Sequence, residues 1–180
     1  YFSAGQRLDF FEIDSAVIDI AESTHLFSFV SDARTRGVGI EMIAGDARLT
    51  LAQKDGGYDA LLVDAFSSGS IPVHLMTAEA IALYLNQMSS DGVLGFHISN
   101  HYLDFKDVLC DLAANAELAC LYRTDTTLNA ELRSEGKSPS EWLVMTTNSN
   151  IANGLLSMGW QLRSASEKPL WRDNYSNIFE

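Results

Sequence analysis

Three carboxylates close successive apolar segments of this chain. Glu12 follows Leu8-Asp9-Phe10-Phe11, Asp46 follows the run from Val38 to Gly45, and Asp64 follows Tyr58-Asp59-Ala60-Leu61-Leu62-Val63. An acid that ends a strand and precedes a helix can accept both hydroxyl hydrogens of a ribose. Glu12 is placed for that task, whereas Asp14 is better explained as the cap of the helix that follows. Asp46 could accept from an adenine amino group, although on spacing alone capping a helix that begins at Ala47 is the better account. Asp64 adjoins an apolar run, where a carboxylate needs partners or a purpose. Partial burial there would raise its pKa and suit it to take a proton from an attacking amine. The competing account is a structural aspartate bonded to amides of the loop Phe66 to Ser70.

Other reactive side chains give weaker signals. His97 and His101 are four apart but straddle a strand end, so the helical spacing of metal ligands does not apply, and no metal site is expected. His74 follows Pro72 and is a candidate to line a pocket. No serine lies in a Gly-x-Ser-x-Gly elbow, which leaves a hydrolase triad without support. Cys110 and Cys120 cannot build a disulfide framework, show no Cys-x-x-Cys spacing and lie in segments that read as buried. A reducing cytoplasmic setting fits them best.

The elements that must position these acids follow from periodicity. Strands are expected near residues 8–13, 38–44, 58–64 and 93–99, the third covered on both faces because its apolar run is almost continuous. Helices are expected where Ala16, Val17, Ile20 and Ala21 share a face, and over Ala47 to Gln53, Thr77 to Met88 and Asp104 to Asn115. Leu118 to Arg123 and Trp142 to Thr146 read as two closing strands, with Thr124 to Ser140 a polar, mobile loop between them. Strands alternating with helices predict an α/β fold with a mainly parallel sheet, in which ligands bind outside the carboxyl ends of the strands. That rule selects Glu12, Asp46, Asp64 and the Ser99-Asn100 pair.

The chain has 180 residues, 47% of them hydrophobic, which suits one globular domain and excludes a disordered protein. No repeats or domain linkers interrupt it. Twelve basic residues against 24 acidic ones give a formal charge of −12, a surface that repels phosphate backbones and argues against nucleic-acid partners. The acidity would favour a cationic small molecule, although it also serves solubility alone. No apolar run approaches the ~20 residues of a membrane span, and the first residues lack the layout of a signal peptide.

Six segments, taken in order, resemble the spermidine synthase family. They are Phe11-Glu12-Ile13-Asp14, Gly45-Asp46-Ala47-Arg48, the stretch from Tyr58 through Asp64-Ala65-Phe66-Ser67-Ser68, Ile71-Pro72-Val73-His74-Leu75, His97-Ile98-Ser99-Asn100 and Trp171 to Asn177. The likeness is strongest to spermidine-synthase-like bacterial domains, some of which are fused to membrane transporter segments. The resemblance implies a Rossmann-like fold of the S-adenosylmethionine-dependent methyltransferase type, with helices on both faces of a mostly parallel sheet. It also implies aminopropyl transfer from decarboxylated S-adenosylmethionine to an amine, with that nucleoside as co-substrate and no permanently bound cofactor. Glu12 would hold the ribose, Asp46 and Ala47 the adenine, and Asp64 the proton of the attacking amine, with Ser67 and His74 on the acceptor side. The resemblance leaves open a homodimer and a place as the cytoplasmic domain of a larger membrane protein.

Two departures from the family pattern matter. The established synthases carry Asp-Ser-Ser-Asp after this strand, and here Ser67 replaces the second acid, which removes an anchor for a dicationic amine. The family's first strand and its glycine-rich loop would precede Tyr1, so residues 1–180 read as a single catalytic-type domain that is N-terminally incomplete. That strand lies mid-sheet, so its loss would leave two unpaired strand edges. Whether this is an enzyme therefore stays open among three readings: an aminopropyltransferase, a methyltransferase using S-adenosylmethionine, or a non-catalytic nucleoside-binding or regulatory domain.

Overall fold

Leu8, Phe10 and Phe11 carry strand β1 (Arg7–Glu12), and Asp14 starts helix α1 (Ser15–Glu22) by accepting the Ala16 amide at 2.9 Å. In the computed structural model, which describes residues 2–65, 72–99, 103–166 and 168–177, the chain gathers into two compact units, Tyr1–Asp55 and Gly56–Glu180. The first unit continues with helix α2 (Phe29–Thr35), strand β2 (Gly39–Ala44) and helix α3 (Ala47–Leu51). β1 and β2 pair in parallel with Glu12 opposite Ala44, so both strands end together. Val30, Ala33, Val38 and Leu51 are buried in this unit.

In the second unit, strand β3 (Tyr58–Val63) leads through a one-turn 3-10 helix at Val73–Leu75 to helix α4 (Ala78–Gln87) and strand β4 (Met88–His97). Helix α5 (Lys106–Asn115), strand β5 (Ala119–Asp125), helix α6 (Ala130–Ser134) and strand β6 (Ser140–Thr146) follow, then helix α7 (Ser149–Ser157) and the short strand β7 (Gln161–Leu162). The strand order is β3-β4-β6-β5-β7. β3 and β4 run parallel, and the three remaining pairings are antiparallel. The core lies where Leu94 and Phe96 of β4 and Leu143 and Met145 of β6 meet Leu109 and Leu112 of α5, all fully buried.

All four strands expected from periodicity form, and where they pair with one another they pair in parallel. Three details differ from expectation. β3 is not covered on both faces: Ala60 and Leu62 share a face and are exposed, Leu62 at 64%. The polar stretch from Thr124 to Ser140 is not all loop, because β5 runs to Asp125 and the Asn129 side chain caps α6 through the Leu132 amide.

The third difference concerns the cysteines. Cys110 of α5 and Cys120 of β5 are buried as expected, but a disulfide joins them. The bridge departs from the expectation that the two remain thiols. The reason is local: α5 packs on the strand that follows it, which brings the two Cα atoms to 5.4 Å, within bridging range. The bond closes a short loop, so its removal in Cys110→Ala/Cys120→Ala, or by dithiothreitol, should cost about 2–3 kcal/mol of stability. Urea unfolding with and without reductant measures this.

The C-terminal stretch packs back on the second unit. Trp171 is buried edge-on against Phe105, and its carbonyl accepts the Ala78 amide at 2.9 Å. Thr77 Oγ1 donates to Asp173 Oδ1 at 2.7 Å, and the Asp173 amide donates to Glu79 at 3.0 Å. The Trp171 carbonyl and Asp173 therefore close the start of α4.

Candidate active site

In the first unit the paired ends of β1 and β2 bring two of the acids to one end of the sheet. Glu12 ends β1, and its Oε1 accepts the Asp14 amide at 2.9 Å. The Gly45 amide donates to the Glu12 carbonyl at 2.9 Å, which ties the turn after β2 to the end of β1. Gly45 has φ +134, and a Cβ there would stand 3.0 Å from Thr50 Cγ2, so glycine is required for this turn. The turn delivers Asp46 to the start of α3, where its Oδ1 accepts the Leu49 amide at 3.1 Å. The capping role suggested by spacing is therefore real, and it fixes the direction of the Asp46 carboxylate. Ala47 is the first residue of α3.

In the second unit Asp64 stands just past β3. Val63 is opposite Phe96 in the parallel register, so the next residues along, Asp64 and His97, come level. Asp64 Oδ1 lies 2.6 Å from His97 Nδ1, and Ser99 Oγ lies 2.7 Å from His97 Nε2. An ionised carboxylate can only accept, so Nδ1 carries the hydrogen of the first bond. With a neutral ring, Nε2 then accepts the Ser99 hydroxyl, whose oxygen takes the Glu141 amide at 2.8 Å. The Trp142 indole stacks on the imidazole, with centroids 4.7 Å apart and planes 13° apart. The ring is thus fixed on three sides, and the Asp64 side chain, 56% exposed, is left open to solvent.

Carboxylate, imidazole and hydroxyl stand here in the order found in serine hydrolases. The Ser99 oxygen is occupied by a backbone amide and partly buried, so it serves as the anchor of the imidazole. Sequence reasoning missed this network. It compared His97 with His101 and judged the serines by one motif, whereas the relevant signal was the register of two parallel strand ends. His74 lies exposed in the one-turn helix at Val73–Leu75. Ser67 with the whole loop from Phe66 to Ser70, and Asn100 and His101, fall outside the described residues. Among the described residues no three His, Cys, Asp or Glu side chains gather as a metal site.

No family model matches the chain. A polyamine aminopropyltransferase of Vibrio vulnificus is 39% identical over 91 residues, 49% of this chain and 28% of that enzyme. Over that half of its length this chain is similar to a polyamine aminopropyltransferase. Its fold agrees: a probable spermidine synthase from Corynebacterium glutamicum superposes with a TM-score of 0.62 at 15% identity, over 94% of this chain and 64% of that one. Spermidine synthase from Thermotoga maritima gives 0.53 at 14% identity, over 79% of this chain and 46% of that one. The chain therefore has the Rossmann-like α/β fold of these synthases, as expected from its sequence, and it spans less than two thirds of each relative. No helix among the described residues is long and apolar enough to cross a membrane.

Proposed function

We propose that this chain transfers an aminopropyl group from decarboxylated S-adenosylmethionine to an amine. The observation that carries the proposal is the Asp64 carboxylate, held open to solvent at a strand end by His97. In the reaction the amine lone pair attacks the aminopropyl carbon bonded to the sulfonium sulfur. The new C–N bond forms as the C–S bond breaks, sulfur keeps the electron pair, and methylthioadenosine leaves. The nitrogen then carries one proton too many, and Asp64 accepts it as bonding proceeds.

Glu12 holds the ribose hydroxyls in this reading. Its Oε2 has no partner among the described residues, while Oε1 is engaged by the Asp14 amide. Asp46 and Ala47 present the start of α3 to the adenine. In this reading Ser67 and His74 serve the acceptor, and Ser67 in place of an acid favours an acceptor with less positive charge than a diamine. The nucleoside is a substrate, consumed at each turnover. We read the setting as cytoplasmic, where the Cys110–Cys120 bridge would be exposed to reduction.

The test is calorimetric titration of the protein with S-adenosylmethionine, its decarboxylated form and methylthioadenosine, followed by turnover with putrescine and related amines. Preference for the decarboxylated form with transfer is the expected result. Binding of S-adenosylmethionine alone, or binding without transfer to any amine, would overturn it. Glu12→Gln removes the charge from the ribose contact and should weaken methylthioadenosine binding by about 1–3 kcal/mol in the same titration.

A further inference from the structure

The register that brings His97 beside Trp142 also builds a second pocket. Trp142 stands opposite His97 on one side and opposite Arg123 on the other, and Ser140 stands opposite Asp125, so these residues share one face of the sheet. Lys137, from the connection after α6, and Trp160, from the turn after α7, close a cavity of about 250 Å³ over that face. Asp125 bridges the two cations: Arg123 Nε donates to Oδ1 at 3.0 Å and Lys137 Nζ to Oδ2 at 2.9 Å. These bonds, Lys137 first and Arg123 second, hold the Asp125 carboxyl below its usual range, so it stays ionised at neutral pH.

The charges in the cavity are therefore two positive and one negative, in a chain whose formal charge is −12. Both Asp125 oxygens are taken. Arg123 spends one further hydrogen, from Nη1, on the Met158 carbonyl at 3.0 Å. Three of the five guanidinium hydrogens and two of the three ammonium hydrogens remain unspent among the described residues. Two indoles supply flat apolar walls beside these donors. An incoming cation would meet two like charges and a carboxylate already shared between them; an anion would meet unspent donors.

We propose that this cavity binds a small organic monoanion, a carboxylate on a flat or apolar body, with the carboxylate on Arg123 and Lys137 and the body between Trp142 and Trp160. The volume lies just below the ~300 Å³ at which ligand pockets commonly begin, which fits a body of one ring. The proposal stands apart from the aminopropyl reading, since it concerns binding alone.

Benzoate is the probe and benzylamine, with the same ring and opposite charge, its control. Benzoate should bind saturably in calorimetry, and in two-dimensional NMR it should shift the indole N–H signals of Trp142 and Trp160 but not that of buried Trp171. Lys137→Gln changes an exposed side chain and should weaken benzoate about tenfold, the scale of a charged hydrogen bond. Asp125→Asn removes the negative charge of the cavity lining and should strengthen it. Absence of saturable benzoate binding, tighter binding of benzylamine, or benzoate affinity unchanged by Lys137→Gln or lowered by Asp125→Asn would each overturn the proposal.

Discussion

Asp64→Asn should cut aminopropyl turnover by about 100-fold or more, the usual contribution of a positioned base. An amine nucleophile must shed a proton as it bonds to carbon, and the carboxylate both attracts the ammonium form and takes that proton. The amide keeps the shape of the side chain, and its oxygen can still accept from His97 Nδ1, so the strand end keeps its arrangement. Methylthioadenosine binding should survive, because Glu12 and Asp46 are untouched. The comparison is between single-turnover transfer and nucleoside titration in the same variant. Equal turnover in the wild type and Asp64→Asn would remove Asp64 from the mechanism while leaving transfer intact.

Phe96→Ala should lower the stability of the second unit by about 3–5 kcal/mol, the range for truncating a fully buried aromatic ring. Phe96 is the largest of the fully buried side chains, with its ring 6.4 Å from that of Tyr84. It precedes His97 on β4 and stands opposite Val63, the residue before Asp64. A cavity there loosens the register that brings His97 level with Asp64. Urea unfolding measures the loss of stability, and the His97 ring signals report whether the network relaxes with it.

What could be read in the sequence and what could not divides along physical lines. β1 to β4 and helices α1, α4 and α5 carry strong apolar periodicity, and Asp14 marks the start of α1. α2 was hidden because it buries only Val30 and Ala33 and its Ser28 side chain makes no capping bond. α7 has no fully buried residue, and its asparagines and glycine dilute the helical pattern, although Asn148 does cap it. At the candidate site Glu12, Asp46 and Asp64 were legible because strand ends are local features. The partners of Asp64 were not: His97 lies 33 residues away, and only the pairing of β3 with β4 brings it level. The disulfide was equally hidden, since Cys110 and Cys120 could be neighbours or strangers until α5 packed on β5.

The composition of β3 has a consequence for the unfolded chain. Tyr58-Asp59-Ala60-Leu61-Leu62-Val63 carries Asp59 as its single charge and has neither proline nor glycine. Segments of that composition stack into ordered aggregates once unfolding exposes them. Heating past the unfolding midpoint should therefore join copies of the chain through this segment. Leu62, 64% exposed in the folded state, is the position where a lysine would interrupt that stacking without opening the core.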